Sequence, residues 1–480
     1  MASEQQQLRR AILEALPADV AQENRPPDRQ HVYVPVAHRK ALRLEYLLVI
    51  GGRGVGKTFW SLALQDEAVR SYLGDEVPDL TRTDVCLGFG VLPRSAQYPD
   101  ASTFTRLVET QGTAAYDVWR AVACRWLARR LGRRIPDGKW EETVAWVCAN
   151  PEDVARLFEQ ANETWRRAER YGLFVFDALD RVAHDWQTAN AIVRGLLRFM
   201  LDLKRFSHVF GKIFLREDQL HPQVTDFPDA SKVLAMQIQL IWQRHDLHGL
   251  LWHYLVNAPG EHGRTLRALF EHVLHLELDR KQEVWVLPNA VRRDEQHLRT
   301  LFKALAGPWM GRDRRRGVPY TWIVNHLADA QGRVTPRSFL AAVREAAEDA
   351  LNHYPEYEYP LHFESIKRGV QKASQIRVAE IAEDYPWVEM LMEPLKGLLV
   401  PCEYEEIIRR WYDKWGPPSE ELFKGKRLPP EHWIEGWPGV MRDLEALGVL
   451  YRLRDGRVNM PDIYRIGFDL KRKGGVRPVR

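Results

Sequence analysis

The chain has 480 residues, of which 45% are hydrophobic, 10% aromatic and 28% charged, a composition typical of a folded protein rather than a disordered one. The net charge of +4 is too small to indicate nucleic-acid binding by itself. No apolar run approaches the roughly 18–20 residues of a membrane helix, the N-terminal sequence lacks the layout of a secretion signal, and the four cysteines form no CxxC pair. These features argue against a membrane protein, a zinc knuckle and a disulfide framework, and we expect a cytoplasmic protein.

The first predicted elements are a short helix at residues 4–16 and a polar, proline-containing arm. Short apolar runs that are nearly free of polar alternation then occur at 46–50, 84–91, 173–176, 210–215 and 232–240. This pattern predicts strands that are buried on both faces of a parallel sheet. Helical stretches at 115–131 and 188–205 lie between them, and this alternation of strands and helices indicates a doubly wound α/β domain.

Residues 46–58, YLLVIGGRGVGKT, carry the pattern GxxxxGKT between a predicted strand and a predicted helix. This is the context of a phosphate-binding loop, in which glycines let successive backbone N–H groups face one anion. Lys57 would reach the β- and γ-phosphates, and the Thr58 hydroxyl would ligate Mg²⁺. The residues predicted to contact the nucleotide are Gly51, Gly52, Arg53, Gly54, Val55, Gly56, Lys57, Thr58 and Phe59.

A second acidic element, LFVFDALD, follows at residues 173–180. Asp177 stands where the apolar run ends, which predicts a carboxylate for the Mg²⁺ site, although an aspartate that simply caps a turn has the same pattern. The next position is Ala178, where many ATPases with a phosphate-binding loop carry a catalytic Glu. Either Asp180 orients the attacking water, the reading we prefer, or hydrolysis is slow and the nucleotide acts chiefly as a switch.

Two arginines are candidates for sensing the γ-phosphate. Arg216 ends the predicted strand of KIFLRED, and a fixed guanidinium there would distinguish ATP from ADP. Alternatively, Arg216 forms a surface ion pair with Glu217 or Asp218. Arg337 lies in the first turn of a helix that Thr335 and Pro336 begin, from which it would close onto the nucleotide or remain a surface residue.

The segment from about 246 to 350 has apolar spacing near 3.6 and predicts a helical lid. Beyond it, an amphipathic helix near 401–415, a second helix that Gly448 ends, and a hairpin signal at Asp455-Gly456 follow in the order of a winged helix. We therefore divide the chain into four parts. These are an N-terminal helix and arm (1–44), a P-loop core (45–242), a helical lid (243–352) and a C-terminal winged-helix domain (353–480).

Basic residues cluster in two places, and each cluster is interpreted first as a solvated surface. One cluster contains Arg312, Arg314, Arg315 and Arg316, and the other, in the tail, contains Lys471, Arg472, Lys473, Arg477 and Arg480. The hairpin would carry Arg452, Arg454 and Arg457. Against groove binding, Arg442 is the only basic residue on the exposed side of the second helix, beside Asp443 and Glu445. Contact with DNA or RNA and docking of a protein therefore both remain open for this domain.

The phosphate loop, the Asp-bearing strand, the Arg-ending strand and the helical lid together resemble the additional-strand ATPases of the AAA+ and STAND type. The D-x-x-D form of Asp177 to Asp180 resembles STAND signalling ATPases, and GGRGVGKT with FLRED resembles prokaryotic ATPases of conflict and antiphage systems. The resemblance covers roughly residues 45–350. It implies a P-loop parallel sheet of the additional-strand type and ATP with Mg²⁺ as cofactors.

The leading hypothesis is a Mg²⁺-dependent regulatory ATPase that acts as a nucleotide-driven switch. Its catalytic residues would be Lys57, Asp177, Asp180 and Arg216, with Thr58 and Asp177 at the metal and Arg337 at the nucleotide. No effector motif is visible, so a separate effector protein and a homo-oligomer are the expected partners, and a role in antiphage defence is implied by the resemblance alone. The alternatives are a DNA-binding loader or initiator that clamps nucleic acid, and a nucleotide-binding scaffold without turnover.

Overall fold

The computed structural model describes residues 4–18, 25–92, 94–182, 185–220 and 222–473. The chain divides into two compact units. Residues 22–241 form the first, which we name the sheet unit, and residues 1–21 together with 242–480 form the second, the helical unit. Arg477 and Arg480 of the predicted basic tail lie outside the described residues.

A five-stranded sheet lies at the centre of the sheet unit. Its strands are β1 (Leu48–Ile50), β2 (Thr83–Phe89), β3 (Tyr171–Phe176), β4 (Val209–Leu215) and β5 (Gln237–Gln239). They pair in the order β2-β3-β4-β1-β5, and every pair is parallel. The prediction of a parallel α/β sheet is confirmed.

The position of β4 determines the type of the sheet. Ile50 of β1 pairs with Leu215, and Phe176 of β3 pairs with Ile213, so β4 lies between these two strands. An additional strand therefore separates the strand before the phosphate loop from the strand before Asp177, as the additional-strand type requires. Because the strands are parallel, the residues that follow β1, β3 and β4 all emerge at the same edge of the sheet.

Helices connect the strands of this unit, and several begin at a capping residue. Asp66, Asp100 and Asp185 each accept a hydrogen bond from a backbone N–H in the first turn of the helix that follows. The predicted helices at 115–131 and 188–205 are present with nearly the same bounds. The helices are α2 (His38–Leu42), α3 (Lys57–Gln65), α4 (Glu67–Leu73), α5 (Ala101–Thr105), α6 (Ala115–Leu131), α7 (Trp140–Ala149), α8 (Pro151–Arg167), α9 (Trp186–Leu203) and α10 (Ala230–Leu234).

The prediction for residues 232–240 was partly wrong. Residues 230–234 belong to α10, so the strand is confined to β5. Gln237 and Gln239 are exposed, and β5 is an edge strand rather than a strand buried on both faces. Val233 and Leu240, which made the segment appear uniformly apolar, are buried beside the strand rather than within it.

The helical unit confirms the helical prediction for residues 246–350. Its helices are α1 (Glu4–Ala15), α11 (Arg244–Val256), α12 (Gly260–Leu274), α13 (Asn289–Arg293), α14 (Glu295–Ala306), α15 (Pro319–Leu327), α16 (Pro336–His353), α17 (Phe363–Asp384), α18 (Pro386–Met392), α19 (Tyr404–Trp415), α20 (Glu420–Phe423), α21 (Trp437–Ala446) and α22 (Asp462–Arg465). The N-terminal α1 packs against α12 and α16. Fully buried Arg9 ties it there by donating from Nε to the Pro360 carbonyl at 2.9 Å.

A β-hairpin interrupts the helices of this unit, and the sequence did not predict it. Its strands are β6 (Asp279–Lys281) and β7 (Val284–Val286), which are antiparallel. The turn consists of Gln282 and Glu283, both with positive φ. Such turns normally carry Asn or Gly, so a Gln-Glu turn gives no recognisable signal in the sequence.

The C-terminal elements occur in the predicted order, with α19 and α21 followed by the hairpin strands β8 (Tyr451–Arg452) and β9 (Val458–Asn459). Gly448 follows α21 and has a φ of 75°, in agreement with the prediction that this glycine ends the helix. Gly456 has a φ of 89° in the hairpin turn. Val458 also pairs with Cys402 before α19, which adds a third extended segment to the hairpin.

Within the described part of the chain, the helices fall short of the combined length and apolar character that a membrane crossing requires.

Candidate phosphate-binding site

The loop between β1 and α3 has the backbone of a phosphate-binding loop. Gly54 and Gly56 have φ values of 79° and 104°, which side chains rarely allow. At Gly51 the constraint is close approach, because a Cβ there would lie 2.6 Å from Val55 Cγ2. A Cβ on Gly52 or Gly56 would meet nothing within 4 Å, so open space lies over this part of the loop.

Lys57, the first residue of α3, folds back over the loop. Its Nζ donates to the carbonyl oxygens of Gly51 and Gly52, each at 2.7 Å. Burial, together with the nearby charge of Arg216, lowers the pKa of Lys57 to about 8. The ammonium group thus lies among the loop carbonyls in a position where an anion bound by the loop would meet it.

Asp177 follows β3 and lies at the same edge of the sheet. Its N–H donates to the Phe89 carbonyl at 3.0 Å, and its carboxylate accepts a hydrogen bond from the Thr58 hydroxyl. Burial raises the pKa of Asp177 to about 6, although the Thr58 hydrogen bond and the charge of Lys57 act in the opposite direction. The structure therefore brings Thr58, Lys57 and Asp177 together.

The oxygens of Thr58 and Asp177 fit a magnesium ion. Asp177 Oδ2 is buried and has no hydrogen-bond partner among the described residues, an arrangement that normally destabilises a protein unless a ligand is bound. Mg²⁺ prefers oxygen ligands and is commonly held by one or two protein groups together with substrate phosphates. No group of three or more His, Cys, Asp or Glu side chains in the described ranges is arranged to hold a metal without such help.

Asp180 lies one short turn beyond Asp177. Ala178 has a φ of 56° and starts a 3₁₀ turn over Leu179–Arg181, which turns the chain sharply at the end of β3. Asp180 is half-buried, and its charge raises the pKa of both Lys57 and Asp177. The structure thus places the second carboxylate of the D-x-x-D motif beside the loop.

Arg216 occupies the position that follows β4, between the other two strand ends. The Leu215 carbonyl accepts a hydrogen bond from the N–H of Gly51 at 3.1 Å, so Arg216 is adjacent to the start of the loop. Its guanidinium forms two hydrogen bonds of 3.1 Å with Asp218, and its charge lowers the pKa of Lys57. Arg216 therefore forms the predicted ion pair and also lies beside the loop, so the ion pair does not exclude a role as γ-phosphate sensor.

The remaining predicted residues are placed as follows. Phe59 lies on α3 with its ring 5.1 Å from that of Trp60 in an edge-on contact, and Val55 is buried. Arg53 is half-buried in the loop. Arg337 belongs to the helical unit and pairs there with Glu380 of α17. Its contact with a nucleotide stays a prediction.

One buried contact near the loop had no signal in the sequence. His38 of α2 is fully buried, accepts a hydrogen bond at Nδ1 from Trp60 Nε1 at 3.2 Å, and faces the Ile241 carbonyl with Nε2 at 3.2 Å. Burial lowers the pKa of His38 to about 4, so the ring is neutral. The arm before β1 is therefore joined to the helix that begins at the phosphate loop.

No family model matches the chain, and no curated protein matches it. Among solved structures, the chain is similar to the ORC2 protein of Aeropyrum pernix in its ADPNP–ADP complexes, with 11% identity and a TM-score of 0.41 over 91% of this chain and 93% of that one. It is also similar to a Walker-type ATPase of Pyrococcus abyssi, with 13% identity and a TM-score of 0.36 over 93% and 98% of the two chains. The ADP form of the Aeropyrum pernix ORC2 protein gives 11% identity and a TM-score of 0.33 over 92% and 93%. The fold itself follows from the strand order, which makes the sheet unit a P-loop sheet of the additional-strand type.

Proposed function

We propose that the sheet unit binds ATP with Mg²⁺, hydrolyses it, and acts as a nucleotide-driven switch. The observation that carries this proposal is the hydrogen bond from Thr58 to the Asp177 carboxylate, whose buried Oδ2 has no hydrogen-bond partner among the described residues. A loop that exposes backbone N–H groups, a lysine that lies over it and a lone carboxylate are the components that a nucleoside triphosphate with its metal requires.

The chain's own residues would act as follows. The N–H groups of the loop and of the first turn of α3 would hold the β-phosphate, and Lys57 would exchange its two carbonyl partners for phosphate oxygens. Thr58 and Asp177 would hold the metal and its water shell. The bound magnesium ion supplies positive charge that neutralises the phosphates.

Asp180 is proposed to orient the attacking water. It is the nearest further carboxylate to Asp177, and its charge reaches both Asp177 and Lys57. A half-buried aspartate at this place can accept a hydrogen bond from water in line with a γ-phosphate. Its shorter side chain, compared with a Glu directly after Asp177, leads us to expect slow turnover.

Arg216 is proposed to distinguish ATP from ADP. Its guanidinium is fixed by Asp218 rather than mobile, and a γ-phosphate would be a stronger bidentate partner than that carboxylate. A change of partner at Arg216 would move the turn that follows β4. In this turn the Glu217 carboxylate accepts a hydrogen bond from the Gln239 side chain of β5. This coupling supports a switch within the sheet unit.

The biological setting is proposed from the motifs alone. The D-x-x-D and GGRGVGKT segments support a regulator of the conflict type, working with a separate effector protein in antiphage defence, and a change of oligomeric state with the nucleotide. Mass determination in solution with ADP and with a non-hydrolysable ATP analogue tests the last point. One mass under both conditions would contradict it.

The nucleotide proposal is tested by calorimetry and phosphate release on the full chain. We expect wild type and Lys232→Ala, a variant of an exposed lysine, to bind Mg-ATP alike, and Lys57→Ala to bind at least tenfold more weakly, by about 1.4 kcal/mol. Asp180→Ala should bind ATP normally but release phosphate more slowly. Equal background release from all four proteins would overturn the enzyme, and no heat on titration would overturn the binding site.

A further inference from the structure

The loop between α14 and α15 carries a dense group of positive charges within the helical unit. Residues 312–316 consist of four arginines and Asp313, a net charge of +3 over five positions. All five residues are exposed, and the Arg315 side chain is 88% exposed. Nothing in the proposed nucleotide chemistry uses these residues.

The loop has a fixed shape. The N–H of Met310 donates to the Gly317 carbonyl at 2.8 Å and closes the loop, and Met310 itself is buried. Arg314–Arg316 form a 3₁₀ turn that Asp313 caps by accepting from the Arg315 N–H at 2.8 Å. Because a 3₁₀ turn has about three residues per turn, these three arginine side chains point in different directions around it.

The arginines are available for a ligand. Arg312, Arg314 and Arg316 have no ion-pair partner among the residues that the structure describes, and Arg315 lies 3.8 Å from an Asp313 carboxylate that already accepts a backbone hydrogen bond. Four exposed guanidinium groups on one short loop create a positive local potential that attracts an anion.

The hairpin region differs in this respect. Arg442 pairs with Glu435, Arg452 pairs with Glu445 at 2.8 Å, and Arg457 pairs with Asp455 at 2.7 Å. Most of the basic residues that the sequence placed on the winged helix are therefore neutralised by their neighbours. Contact between them and phosphates would first require the rupture of these pairs.

We propose that the 310–317 loop binds the phosphodiester backbone of a nucleic acid. Residues 311–317 expose no large apolar side chain, whereas protein partners are usually anchored by aromatic or aliphatic groups in addition to charge. Guanidinium groups alone suit a uniform polyanion, and phosphate contacts of this kind fix position without reading sequence. The proposal does not depend on nucleotide binding in the sheet unit.

The test is fluorescence anisotropy of labelled duplex DNA and duplex RNA of arbitrary sequence with the full chain, between about 50 and 200 mM salt. Replacing Arg312, Arg314 and Arg316 together by Ala should weaken binding roughly tenfold or more and lower the slope of log K against log[salt] by about 2 to 3. The matched triple Lys variant should retain most of the affinity and slope. The two duplexes distinguish DNA from RNA as the source of the backbone.

Two control variants make the outcomes of this experiment interpretable. Replacing Arg442, Arg452 and Arg457 by Ala should change the slope by less than about 1. Lys57→Ala should bind nucleic acid as wild type does, so that a failure of ATP binding and a failure of this site are distinguishable. The proposal is overturned if wild type binds neither duplex, if the triple Ala variant binds with unchanged slope while it unfolds at the same temperature, or if polyglutamate competes as well as the duplex.

Discussion

The Thr58 hydroxyl donates a hydrogen bond to the Asp177 carboxylate, and this contact joins the first turn of α3 to the end of β3. The two residues meet, although β4 lies between their strands, because all three parallel strands end at one edge of the sheet. Oδ2 of the same carboxylate is buried without a hydrogen-bond partner among the described residues. This pair of oxygens is therefore the point at which the proposed function is most directly tested.

We predict that Asp177→Asn abolishes the Mg²⁺-dependent part of ATP binding. The amide keeps the size of the side chain but removes the negative charge that a divalent cation requires. In titration calorimetry, wild type should bind ATP more tightly with Mg²⁺ than with EDTA, whereas the variant should bind ATP with the same affinity under both conditions. Thr58→Ser, which keeps the hydroxyl, should behave as wild type, whereas equal Mg²⁺ dependence in wild type and Asp177→Asn would rule out the assigned ligand.

We predict that Gly56→Ala and Gly52→Ala differ sharply although the two glycines lie in the same loop. Gly56 has a φ of 104°, and a side chain there is strained even though nothing lies within 4 Å of its Cβ position. Gly56→Ala should lower the free energy of unfolding by about 1 kcal/mol or more and weaken ATP binding, since strain of this kind costs on the order of 1–3 kcal/mol. Chemical unfolding and calorimetry measure both effects.

Gly52→Ala is the matched control for that experiment. Its Cβ also meets nothing within 4 Å, and its φ lies outside the left-handed region. The free energy of unfolding should therefore change by less than about 0.5 kcal/mol. If the two variants lose equal stability, the loop does not have the described backbone.

The site was predictable from the sequence because its residues stand at the ends of apolar runs. Lys57, Asp177 and Arg216 each follow a buried strand, and a parallel sheet brings such positions to one edge. The prediction of the Arg216 partner stayed open because Glu217 and Asp218 are both adjacent in sequence. Only the geometry of the turn after β4 selects Asp218.

What could not be predicted depends on long-range burial. His38 becomes a partner of Trp60 only when α2 packs on α3, and neither residue belongs to a motif. The β6–β7 hairpin turns at Gln282 and Glu283, whose positive φ is imposed by the surrounding structure rather than by residue preference. Local sequence carries no signal for either feature.

We predict that Lys212 makes stability depend on pH. This lysine lies on β4, is fully buried, and donates to the carbonyl oxygens of Arg43 and Tyr46. Burial lowers the pKa of Lys212 to about 7, whereas in the unfolded chain the same lysine has a pKa of about 10.4. Between these values the unfolded state binds more protons, so this group makes the free energy of unfolding rise with pH.

Urea unfolding of wild type and Lys212→Met between pH 7 and pH 10, that is, across about the two pKa values, measures this effect. The wild type should gain stability relative to the variant as the pH rises, because methionine does not titrate. Subtracting the variant removes the contribution of every other group. A constant difference across this range would show that Lys212 titrates alike in both states.

We predict that Glu380→Ala destabilises the helical unit. Glu380 of α17 is 7% exposed and pairs with Arg337 of α16 and, at 3.5 Å, with Arg377 of its own helix. The substitution leaves two half-buried or buried guanidinium groups without their carboxylate. We expect a loss of about 2–4 kcal/mol in the free energy of unfolding, because removing one partner of a largely buried ion pair is strongly destabilising.

Removing a carboxylate from an exposed pair provides the comparison. Glu421 and Lys424 form an ion pair at 3.1 Å, with their side chains 79% and 71% exposed. Glu421→Ala should therefore change the free energy of unfolding by less than about 1 kcal/mol. In a double-mutant cycle, Arg337→Ala should cost less in the Glu380→Ala background than in wild type, because its partner is already gone. Strictly additive effects of the two substitutions would mean that Arg337 and Glu380 do not interact.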